Sequence, residues 1–106
     1  MIWLLIDDLR DIKCELIART YDDGLDLLKK NYKEIHTLVL DHDLGEERTG
    51  YHLIKEAIQL NIVPQNVIIV SSNPVGVANI SNALLSFGYK FDPDHRHLKR
   101  WNNVYN

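Results

Sequence analysis

At 106 residues, with 45% hydrophobic and 25% charged residues, the chain has the make-up of one small globular domain whose core can fold without staples. A net charge of -3 excludes a general nucleic-acid-coating role, which needs a broad basic face. No apolar run approaches the roughly 20 residues of a transmembrane helix, and the N-terminus lacks the basic start and cleavage site of a signal peptide. The lone Cys14 forms no internal disulfide, so a cytoplasmic location without a membrane partner is expected.

Ile2-Trp3-Leu4-Leu5-Ile6 is an uninterrupted apolar run that ends in Asp7-Asp8. It reads as a strand of a parallel sheet buried on both faces. A second strand, Glu15 to Thr20, follows too soon for a full crossover helix, which takes a dozen or more residues. A compressed loop is therefore expected between them. Residues 22–33 turn helical, with Asp22 or Asp23 as the cap and Leu25, Leu28 and Tyr32 on one stripe. The strand 36–41 ends in Asp41-His42-Asp43.

Thr49 is the expected cap of a helix over 51–60, and Val63-Pro64-Gln65 breaks it. A third buried strand, Val67-Ile68-Ile69-Val70, ends in Ser71-Ser72-Asn73. Pro74-Val75-Gly76 opens a helix over 75–87, and Gly88 stops it. A short last strand over 89–92 precedes a tail from about residue 93 that is rich in His, Arg and Lys. That tail is expected to be solvated, with a phosphate-contacting role for its cations and Trp101 as the alternative. The alternation of strands and helices gives an α/β class and a single domain over 1–106.

Chemistry concentrates at the strand ends. Residues 1–56 hold thirteen of the fifteen acids, and four of them, Asp7, Asp8, Asp41 and Asp43, fall where strands stop. In open parallel sheets ligands bind outside those carboxyl ends. Converging carboxylates repel unless a cation or proton is shared. Asp7, Asp8 and Asp41 are the candidate ligands of a divalent cation, Mg²⁺ or Mn²⁺, because hard ions take oxygen donors. Turn capping by two of these acids is the plain alternative.

His42 and Asp43 are the candidate acid and base. Ser71 is a further candidate catalytic residue, and Arg10, Ser72, Asn73 and Gly76 are candidate phosphate contacts, since helix N-termini favour anions. Ser-Ser-Asn also makes an ordinary helix cap, and the two roles can coexist. His36 and His52 read as structural or surface residues. No charge occurs between Ala57 and Tyr89, so the outer face of the 75–88 helix, with Asn79, Ser81, Asn82 and Ser86, is a candidate homodimer surface.

Asp7-Asp8, Asp41 and Ser71 resemble the acidic pair, the phosphoacceptor and the hydroxyl of response-regulator receiver domains. Where receivers carry Lys-Pro after the fifth strand, this chain reads Lys90-Phe91-Asp92-Pro93. A closer resemblance is to the cyclic-phosphate processing receiver domain family. It rests on Ile6-Asp7-Asp8-Leu9-Arg10, on Leu40-Asp41-His42-Asp43-Leu44-Gly45 with Thr49-Gly50-Tyr51, and on Ser71-Ser72-Asn73-Pro74-Val75-Gly76, and runs from residue 2 to about 88. Members often place a His just before that Ser, where this chain has Val70.

The resemblance implies a three-layer flavodoxin-like receiver fold. Its mainly parallel sheet would have four to five strands, and its first helix would be shortened or absent. It also implies metal-dependent processing or binding of a cyclic phosphate, either a cyclic nucleotide or a cyclic-phosphate RNA end. The alternatives are a phosphoacceptor signalling domain and a non-catalytic binder of a nucleotide messenger.

Overall fold

A computed structural model describes residues 2–92 and 97–100 of the chain. Its elements are β1 (Ile2–Ile6), β2 (Leu16–Ala18), α1 (Tyr21–Asn31), β3 (Ile35–Leu40), α2 (Gly50–Leu60), β4 (Asn66–Ile69), α3 (Pro74–Ser86), β5 (Tyr89–Phe91) and β6 (His97–Arg100). The strands form one mixed sheet in the order β2-β1-β3-β4-β6-β5. β2, β1, β3 and β4 run parallel, whereas β6 is antiparallel to both its neighbours. The arrangement is an α/β fold compatible with a receiver-like domain.

Side-chain alternation sends Leu4, Ile6, Leu38, Leu40, Val67 and Ile69 to one face of the sheet. There they join Leu25 and Leu28 of α1, Leu53, Ile54 and Ala57 of α2, and Ile80 and Leu84 of α3 in one core. α2 packs between α1 and α3, so all three helices cover this face. The described residues thus make two layers rather than the expected three. Two links explain the difference. Asp7 to Glu15 joins β1 to β2 without a helix, and the chain after β5 returns as a strand.

The helix-free link is held from outside itself. The Arg19 guanidinium, just past β2, donates to the carbonyls of Asp7 (3.2 Å) and Arg10 (2.6 Å) and to Asp11 Oδ1 (2.6 Å). The two carbonyls are backbone acceptors that a helix would have satisfied internally.

The expected tail is also corrected in part. His97–Arg100 inserts as β6 between β4 and β5, giving six strands instead of four to five. Leu98 is fully buried in the core. The His97 ring reaches Asn66 Oδ1 of β4 through Nε2 (3.2 Å) and Asp92 Oδ2 through Nδ1 (2.9 Å), which ties β6 to both sides. The expected tail contact through Trp101 lies outside the described residues.

Caps follow local chemistry. Thr20, not Asp22 or Asp23, caps α1, its hydroxyl accepting from the Asp23 amide at 3.2 Å. Thr49 caps α2 as expected, and His52 completes a capping box by accepting from the Thr49 amide at 3.0 Å. Asn73 caps α3, with Pro74 in its first turn.

Candidate functional site

The three central strands end level with one another. Ile6 pairs with Leu40, and Leu40 with Ile69. The ladder then runs one residue further, because Asp41 N–H donates to Ile6 O (2.9 Å) and Val70 N–H to Leu40 O (3.0 Å). Asp7 N–H donates to Ala18 O (3.1 Å) on the other side. The backbones of Asp7 and Asp41 are therefore clamped at the rim. A cavity of about 360 Å³ opens there, lined by Asp7, Asp8, Leu9, Arg10, Asp41, Asp43 and Ser72.

Asp7 is fully buried and uses both oxygens. Oδ1 accepts from the amides of Leu9 (2.9 Å) and Arg10 (3.0 Å), and Oδ2 from Arg10 Nη1 (3.0 Å). Burial alone would push its carboxyl up, but these amides and the guanidinium outweigh that and hold it below its ordinary value. Asp41 has the opposite balance. Burial and the neighbouring Asp7 charge push its carboxyl up, against the Asp43 amide and Arg10. Arg10 Nη1 also lies 3.2 Å from Asp41 Oδ2, so one guanidinium nitrogen bridges the two buried acids. Asp8 completes the group, and one oxygen from each of Asp7, Asp8 and Asp41 lies within 4.8 Å of the others.

Of the Ser71-Ser72-Asn73 turn, Ser72 lines the cavity. Ser71 is buried, and its hydroxyl accepts from the Asn73 amide (3.0 Å). Asn73 Oδ1 accepts from the Gly76 amide (3.1 Å). The turn is thus a cap that brings Ser72 to the cavity wall. His42 stands apart from the cavity lining and packs against the first turn of α3. A Cβ on Gly76 would run into its ring, so this glycine makes room for the imidazole. His42 Nδ1 lies 3.1 Å from Asp43 Oδ1, and Asp43 faces the cavity. Gly50 brings the start of α2 against the same loop, since a Cβ there would strike the Asp41 carbonyl oxygen.

The sequence model of the cyclic-phosphate processing receiver domain matches residues 2–86. The chain belongs to that family. No curated protein and no solved structure matches it.

In this receiver domain, sequence reasoning offered ten site residues, of which Asp7, Asp8, Arg10, Asp41, Asp43 and Ser72 line one cavity, whereas His42, Ser71, Asn73 and Gly76 do not line it. It missed two residues. Leu9 lines the cavity, and Arg19 holds the β1–β2 link. A single exposed leucine in an acidic loop carries no sequence signal, and the partners of Arg19 are carbonyls, which no side-chain pattern reveals.

A second cavity, about 460 Å³, lies away from the rim and is lined by Tyr21, Arg48, His52, Lys55, Glu56, Gln59 and Leu60. Here Tyr21 donates to Glu56 Oε1 (2.6 Å), while Arg48 pairs with Asp22 (2.9 Å) and stacks 4.1 Å over the Tyr21 ring. Burial and the adjacent Glu56 push the Tyr21 hydroxyl up to about 12. Among the described residues, no helix of this receiver domain is long and apolar enough to cross a membrane.

Proposed function

We propose that the rim opens a cyclic phosphate diester with the help of a divalent cation. The observation that carries this reading is the clustering of Asp7, Asp8 and Asp41, two of them bridged by one guanidinium, in a cavity also lined by Asp43 and Ser72. Three carboxylates facing one positive charge leave an anionic excess that suits Mg²⁺ or Mn²⁺. The presence of Arg10 nitrogen between Asp7 and Asp41 supports that fit, because that position already favours a cation.

Asp7, Asp8 and Asp41 would hold the ion, which when bound supplies positive charge to a phosphoryl oxygen. Arg10 and the Ser72 hydroxyl donate to the remaining non-bridging oxygens, where charge grows in the transition state. The Asp43 carboxylate takes a proton from a water as its oxygen attacks phosphorus. One ring P–O bond breaks, and the proton passes to the departing alkoxide, giving a monoester. His42 keeps Asp43 oriented through their 3.1 Å contact and is itself seated by Gly76. Ser71 and Asn73 act by fixing the turn that carries Ser72.

The test is a panel of cyclic nucleotides and cyclic-phosphate RNA ends incubated with the protein and Mg²⁺ or Mn²⁺. Ring opening is expected for at least one member, and Asp41→Ala should remove it. Tight binding with the ligand recovered intact would instead identify a sequestering domain. Acetyl phosphate labelling of Asp41, read by intact mass, would identify a signalling receiver.

A further inference from the structure

We infer that Arg10 is a built-in occupant of the cation position, and that a divalent ion enters only as the guanidinium leaves it, a move that a bound phosphate favours. The inference rests on the reading of the rim as a cation–phosphate pocket and specifies how its two ligands are coupled. Arg10 Nη1 sits 3.0 Å from Asp7 Oδ2 and 3.2 Å from Asp41 Oδ2. A Mg²⁺ ion bound to those oxygens would stand about 2.1 Å from each, in the space this nitrogen fills. Both cations cannot occupy it together.

Asp7 offers no other oxygen, because Oδ1 already accepts two amides, those of Leu9 and Arg10. An ion that takes Asp7 must therefore take Oδ2 from the guanidinium, so the exchange is local. It is also confined to one side chain. The Arg10 amide is held by Asp7 Oδ1 (3.0 Å) and its carbonyl by Arg19 Nη1 (2.6 Å), so the backbone stays in place. The side chain is 39% exposed, which leaves the guanidinium a path out towards solvent.

Charge decides which ions can make the exchange. The guanidinium offers directed, charge-assisted hydrogen bonds to two carboxylates. A monovalent ion brings the same charge without those donors, whereas a divalent ion brings twice the charge to three carboxylates. Arg10 thus sets the selectivity of the position for divalent ions. Once displaced, the guanidinium remains tethered at the cavity wall, where its planar fork matches a phosphate. By linkage, phosphate and ion must then strengthen each other's binding by the same factor.

Calorimetry with Mg²⁺ alone, inorganic phosphate alone and both together tests this on wild type, Arg10→Ala and Arg10→Gln. Both variants should bind Mg²⁺ alone at least about tenfold more tightly than wild type. Wild type should show mutual strengthening by phosphate that the variants lack. If neither variant folds, the wild-type Arg10 Nε–H nuclear magnetic resonance signal must shift as Mg²⁺ is added. Equal Mg²⁺ affinity in wild type and variants, or an unmoved Arg10 signal at saturating Mg²⁺, overturns the exchange and leaves the pocket reading standing. Absence of Mg²⁺ binding in every protein overturns both.

Discussion

The two cavities of this domain contain similar residue types and opposite charge arrangements. In the groove of Tyr21, Arg48 and Glu56, charges meet partners of the other sign across α1, α2 and the loop before α2. Arg48 sits between Asp22 (2.9 Å) and Glu46 (3.6 Å), and Glu56 accepts from Tyr21 (2.6 Å). At the rim, Asp7, Asp8, Asp41 and Asp43 face the single guanidinium of Arg10. The groove is the larger of the two, so size does not mark the site. An acidic excess that includes two buried carboxylates sets the rim apart, and the fold alone gains nothing from leaving like charges together out of water.

The largest expected effect separates the roles within the rim. Asp7→Ala removes the acceptor of two amides and the partner of Arg10, and should cost about 3 kcal/mol of stability. Urea unfolding measures it, and a loss near zero would show that Asp7 holds nothing together. In the groove, Tyr21→Phe deletes a hydrogen bond to a carboxylate and should cost about 1.5 kcal/mol. Mg²⁺ binding at the rim should be unchanged by it, and a matching loss of Mg²⁺ affinity would break the contrast between the two cavities.

Asp41→Asn should have the smallest effect on stability and the opposite sign. The Asp41 carboxyl is pushed up by burial and by Asp7, so the folded state holds that proton to higher pH than the unfolded chain. Stability is therefore lost as pH rises from the unfolded value through the raised folded one. Removing the charge should stabilise the domain by about 1 kcal/mol at neutral pH. Asp7, with its lowered carboxyl, contributes stability that is present above its ordinary value and lost as pH falls through the lowered one. Unfolding curves between pH 3 and pH 7 should show the two variants diverging as pH rises.

The parallel half of the sheet was legible because its strands are uninterrupted apolar runs bounded by polar turns. The rim was legible for the same reason, since Asp7, Asp41 and Ser71 follow the ends of those runs directly. β6 was hidden. His97, Lys99 and Arg100 look like a solvated basic run, and the strand is held by one buried leucine, the His97 contacts and pairing to both neighbours. Its partner on the β4 side, Asn66, lies 31 residues from His97 in sequence. The expected third layer failed for a related reason: the resemblance carried over a three-layer arrangement although a compressed loop was already expected after β1, and the chain after β5 returns as a strand. For Arg10, the Asp7-x-x-Arg10 spacing was visible, but its place between Asp7 and Asp41 depends on a loop held by Arg19 just past β2.

The central claim is that the acidic rim opens a cyclic phosphate, and phosphorus nuclear magnetic resonance of 2′,3′-cyclic AMP tests it most directly. With wild-type protein and Mg²⁺ the cyclic diester signal should decay into a monoester signal, and with Asp41→Asn it should persist. A wild-type spectrum identical to that of the protein-free control would contradict the account for this ligand, and the same result across the cyclic-phosphate panel would contradict it altogether.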